Sequence, residues 1–124
     1  MKIKKIAIGI KGLKESLEDF AAAWKKIEAG QEIKKEAGLY FESIDTLRAI
    51  LTNKRLLILK VIKDKEPNSI YELAKILGRD IKNINQDLKL LADAGLVTLE
   101  KVEKDKKRII PHVDYSKILL EIPV

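Results

Sequence analysis

The chain has 124 residues, no cysteine, one histidine and a formal net charge of +6 from 25 basic against 19 acidic residues. That length suits one domain with a core of its own. The missing cysteines exclude disulfides, thiolate nucleophiles and cysteine zinc sites, and a lone His112 leaves no imidazole pair for a transition metal, so no metal or cofactor is expected.

Residues 3–10 read as a strand, with Ile6, Ile8 and Ile10 alternating against Lys5, Ala7 and Gly9. No apolar run approaches the ~18 residues of a membrane span. The opening MKIKKIAIGI turns polar at Lys11-Gly12, too early for a signal peptide. A cytoplasmic protein with no membrane partner is expected. Next, Leu13, Leu17, Phe20, Trp24 and Ile27 recur at spacings of four and three, an amphipathic helix closed by Gly30. Trp24 on that stripe belongs to a core or an interface. A charged connector, GQEIKKEAG, leads to a short strand Leu39–Phe41 and a helix from about Ile44 to Leu51.

The second half carries sharper signals. Thr52 can cap a helix from Asn53 to Lys65, whose Leu56, Ile58, Leu59, Val61 and Ile62 leave little polar face, so burial on most sides is expected. Pro67-Asn68 breaks it. Ser69 and Glu72 form a capping box for a helix Ile70–Leu77, which buries Ile70, Leu73, Ala74 and Leu77 before Gly78 ends it. Asp80 caps a helix from Ile81 to Ala94, stopped by Gly95. LVTLEKVE, the polar tip KDKK and RIIPHV then read as a hairpin. The tail DYSKILLEIPV fits either a short helix or a terminal strand.

Helix, short helix, tight turn, helix and two-stranded hairpin is the order of a winged helix-turn-helix. The expected fold is therefore α+β, mainly α. Residues 1–38 form a strand–helix extension and possible dimerisation element, and residues 39–124 form the winged helix-turn-helix domain.

At about 100° per residue, Ile81, Ile84, Leu88 and Leu91 share one face of the last helix and should turn to the core. Opposite lie Lys82, Gln86 and Asp93, with Asn83 and Lys89 at the margins. Amide side chains can pair bidentately with adenine in the major groove, and lysine can reach guanine O6 or N7. A face meant only for solvent more often alternates Glu with Lys. Lys82, Asn83, Gln86 and Lys89 are therefore the expected readers of double-stranded DNA. Arg79 in the turn and Lys101, Lys104, Lys106, Lys107 and Arg108 around the hairpin are the expected phosphate contacts. Asp87, on the flank, either pairs with a lysine of its own helix or orients a neighbouring basic residue. One reading helix seldom gives enough specificity, so a homodimer on half-sites ~34 Å apart is expected.

The second half resembles the winged helix-turn-helix transcription regulators of the MarR and ArsR kind. More closely, the chain resembles a group of small archaeal and bacterial predicted regulators. The pieces that carry the likeness are Phe41-Glu42-Ser43, Thr52 with Lys54-Arg55, Gly78-Arg79-Asp80, Lys82-Asn83, Asp87 and Gly95. In that pattern proline is common at the place of Asn53, and a His-Arg pair at the place of Asn85-Gln86, so a base contact through that arginine is not carried over here. The resemblance implies DNA-binding regulation and names no operator.

Other readings are weaker. GIKG at Gly9–Gly12 lacks the third glycine and the acidic residue of a dinucleotide-binding start. His112 has no nucleophile beside it in the sequence, and no enzyme is expected. The main rival is a protein-interaction module or antitoxin-like partner of another protein, which should expose apolar residues on the reading helix, where Leu90 is the one candidate. RNA binding ranks third, because no aromatic platform for stacked bases presents itself.

Overall fold

The computed structural model describes residues 5–30, 39–103 and 107–124. These form an α+β fold with five helices and five strands among the described residues. The strand expected at 3–10 is described from Lys5: β1 (Lys5–Ile10) is the central strand of a three-stranded sheet. On one side it pairs in parallel with β2 (Leu39–Phe41), Ile8 opposite Leu39. On the other it pairs in parallel with β5 (Lys117–Glu121), Ile8 opposite Leu120. The tail that fitted helix or strand is thus a strand. Ile8 is 1% exposed and joins Phe41 in the core.

Helix α1 (Leu13–Glu28) crosses from β1 towards β2. Three residues of its apolar stripe, Leu17, Phe20 and Trp24, are exposed. Trp24 therefore takes no part in this chain's core.

Helix α2 (Ile44–Ile50) starts at Ser43, whose hydroxyl accepts from the Thr46 amide at 3.2 Å. Helix α3 (Asn53–Lys65) starts at Thr52, which accepts from the Arg55 amide at 3.3 Å. Burial of α3 is one-sided, contrary to the expectation from its composition. Ile58, Leu59 and Ile62 are buried, whereas Leu56 and Leu57 are 40% and 51% exposed. The helix meets α4 and β4, and Lys54, Lys60 and Lys63 are exposed.

Helix α4 (Ile70–Leu77) begins at Ser69, which accepts from the Glu72 amide at 3.0 Å. The returning Glu72 carboxylate reaches one residue further than a capping box requires, accepting from the Asn68 amide at 2.9 Å. Ile70, Leu73 and Ala74 are buried and Leu77 is half-buried. Gly78 closes α4 in the left-handed conformation, φ 63°, which only glycine adopts without cost. Asp80 then accepts from the Lys82 amide at 2.9 Å and opens α5 (Ile81–Asp93). Three residues, Gly78 to Asp80, join the two helices. Strands β3 (Thr98–Val102) and β4 (Arg108–His112) follow as an antiparallel hairpin, with Val102 opposite Arg108. Ile84, Leu88 and Leu91 of α5 meet Leu73, Ile58, Ile62 and Leu96 in one core.

Candidate nucleic-acid interface

The chemistry of α5 follows from which side of it the core claims. Ile84, Leu88 and Leu91 are 0%, 1% and 0% exposed. That fixes the helix's rotation and leaves Lys82, Asn83, Gln86 and Lys89 on the outer side, all exposed, with Asn85 and Asp93. Ile81 departs from the expected core face, being 41% exposed. As the first residue of the helix it lies beyond the stretch the core covers, and it lines a cleft between α5 and the hairpin instead. Leu90, at 37%, is the other exposed large apolar side chain of α5.

The cleft has a volume of about 480 Å³ and brings together the start of α4, the start of α5 and both hairpin strands. Tyr71, Ile81 and Asn85 line it from the helices, Lys101, Lys107 and Arg108 from the hairpin. Lys101, Lys107 and Arg108 are exposed. Lys104 and Lys106 lie outside the described residues. The cationic hairpin and the amide-bearing helix thus open on the same cleft.

Asp87 is the one buried charged residue among the described residues, and two arginines hold it. Its Oδ1 faces Arg55 Nε at 3.2 Å and its Oδ2 faces Arg79 Nη2 at 2.9 Å. Arg55 also donates from Nη1 to the Ala49 and Ile50 carbonyls at 2.7 and 3.1 Å, satisfying acceptors at the end of α2. One carboxylate therefore links α2, α3, the turn and α5. Of the two roles open to Asp87 in the sequence, the structure shows the orienting one. Arg79, expected on phosphate, has its guanidinium engaged with Asp87 and keeps a quarter of its side chain exposed.

In the sequence Arg55 figures only as a piece of the resemblance, with no role attached, and Tyr71 not at all. A signal for Arg55 existed: only four of the 25 basic residues are arginine. In a lysine-rich chain, arginine is retained where a planar, multi-donor fork is required. Tyr71, 69% exposed on α4, gives no such sign, since its place at the cleft depends on where the hairpin folds.

His112 stands on β4 with Nε2 2.6 Å from Glu100 Oε2 of β3. Among the described residues no group of three or more His, Asp or Glu is placed to hold a metal ion, and no helix is long and apolar enough to cross a membrane.

Comparison with curated proteins gives no match. The profile of the HVO_A0114 family matches residues 50–120, which is 71 of the 124 residues and runs from the end of α2 into β5. The matched stretch contains α5, the Arg55–Asp87–Arg79 cluster and the hairpin; the chain belongs to the HVO_A0114 family.

Proposed function

We propose that the chain is a sequence-specific double-stranded DNA-binding transcription regulator. In this reading α4, the turn and α5 are the helix-turn-helix of a winged helix domain of the MarR and ArsR kind, and β3–β4 is the wing. The observation that carries it is the outer side of α5. It exposes Lys82, Asn83, Gln86 and Lys89, on the helix whose Ile81 and Asn85 share a cleft with Lys101, Lys107 and Arg108 of the hairpin.

The physics is a division of labour. An α-helix fits the major groove, where Asn83 and Gln86 each offer a donor and an acceptor to an adenine edge. Lys82 and Lys89 flank them and reach guanine or the bordering phosphates. The hairpin cations neutralise phosphate without reading sequence. The Arg55–Asp87–Arg79 cluster sets the angle at which α5 leaves the domain, so the amides arrive pre-oriented. A net charge of +6 steers the protein towards DNA. As a homodimer it occupies two half-sites and represses by blocking the operator.

The test is a titration of random-sequence duplex DNA at several salt concentrations. Each phosphate neutralised adds about 0.9 to the slope of log affinity against log salt. Changing Lys101, Lys107 and Arg108 together to Ala should weaken binding and flatten the slope by roughly 2–3. An unchanged slope would show that the hairpin does not touch phosphate.

A further inference from the structure

Helix α1 carries an apolar face that none of the described residues covers. Leu17, Phe20 and Trp24 are 60%, 68% and 53% exposed. With positions 13 and 27 they keep the four–three spacing of a helix whose seam is covered by another helix. Along it the Phe20 and Trp24 rings stack with centroids 6.5 Å apart, and the Trp24 indole N–H donates to Glu28 Oε1 at 2.8 Å. An ion pair from Lys11 to Asp19 anchors the helix to the end of β1.

We propose that this face pairs with the same helix of a second copy of the chain, antiparallel, with the two-fold axis near Ala21. The proposal deepens the dimer in the reading above and rests on that reading only for the dimer's purpose.

The charge pattern selects both the partner and the direction. With Leu17 and Trp24 at the first apolar position of a heptad and Phe20 at the second, one flank of the seam is Lys14, Ala21 and Glu28. In an antiparallel pair like flanks meet. Residues 14 and 28 are each seven positions from 21, so Lys14 of one copy faces Glu28 of the partner subunit, twice per dimer. Ala21 meets its own copy between them, and its small side chain admits close approach. A parallel pair would instead set Glu28 beside the partner's Ala23 and gain no ion pair on either flank. The complementarity is with itself, which an unrelated partner protein would not require. A helix of 16 residues spans roughly 24 Å, so the seam alone makes a small interface. Dissociation in the micromolar range is expected.

Sedimentation equilibrium of the full chain and three variants tests this. The parent should dimerise at micromolar concentration, and Phe20→Glu should be monomeric. Lys14→Glu and Glu28→Lys should each weaken the dimer about tenfold, because each turns two attractive contacts into repulsive ones. A one-to-one mixture of these two variants should regain the parent's strength, because every flank contact in the mixed dimer again joins opposite charges. A monomeric parent would overturn the proposal. So would a dimer that Phe20→Glu leaves intact, or a mixture no tighter than its components. No DNA enters the experiment, so its failure leaves the DNA reading standing, and loss of DNA binding leaves the dimer standing.

Discussion

Replacing Asp87 by Asn removes one charge and nothing of shape, which makes it the cleanest probe of how α5 is held. Asp87 meets Arg55 at 3.2 Å and Arg79 at 2.9 Å, and the three side chains are only 13%, 17% and 26% exposed. Breaking a fully buried pair costs about 3–5 kcal/mol, and an exposed pair is worth about 0–1. Asn can still accept one hydrogen bond, and Arg55 keeps its two carbonyls at the end of α2. The expected loss is therefore about 2–3 kcal/mol. For a chain of this size roughly 4 °C accompanies each kcal/mol, so Tm should fall by about 8–12 °C. Thermal melts followed by circular dichroism measure it. Asp93→Asn, exposed on the same helix, serves as the reference and should shift stability by less than about 0.5 kcal/mol. If Asp87→Asn melts within about 2 °C of the parent, the cluster does not hold α5 and the argument for pre-oriented amides fails.

Two further outcomes follow from other parts of the fold. Both Gly78→Ala and Gly95→Ala put a side chain at positive φ, 63° and 83°, at about 1–2 kcal/mol each. Only at Gly95 would the new Cβ also meet Leu39 Cδ2, at 2.8 Å, so urea melts should find Gly95→Ala the weaker protein; equal losses would contradict the contact between that turn and β2. Burial pushes the Tyr115 phenol up from 10.0 to about 12, and its hydroxyl donates to the Leu96 carbonyl at 2.7 Å. With the folded pKa above the unfolded one, this contribution is complete below pH 10 and lost as pH rises through about 12. Tyr115→Phe should be about 1 kcal/mol less stable near neutrality, and the gap should close in that alkaline window; a pH-independent gap would refute it.

The parts of the fold legible in the sequence are those fixed by local chemistry. Thr52, Ser69 and Asp80 each cap the helix they announce, and Gly78 and Gly95 take the positive φ expected of helix ends. The parallel sheet was not legible. Lys5 pairs with Lys117 across almost the whole chain, and parallel pairing leaves no turn residues to mark it. Composition misled at α3, because apolar content does not say how many neighbours a helix will have, and Leu56 and Leu57 have few. Periodicity misled at Ile81, because a helix's first turn can outrun the core it points at. At the candidate site, the rotation of α5 was legible from Ile84, Leu88 and Leu91. The hold on Asp87 was not, since Arg55 stands 32 residues away and nothing local joins them.

The central claim is that the outer side of α5 reads base edges, and selection from a random duplex pool tests it most directly. The parent, Asn83→Ala and Gln86→Ala would each be carried through selection, with random-DNA affinity and Tm measured alongside. The account predicts a defined parental motif in paired half-sites about 34 Å apart. Each alanine variant should relax choice at particular positions, at about 1–3 kcal/mol per matching base pair, with random-DNA affinity and Tm nearly unchanged. Recovery of the parent's full preference by both variants, or no preference in the parent, would contradict it.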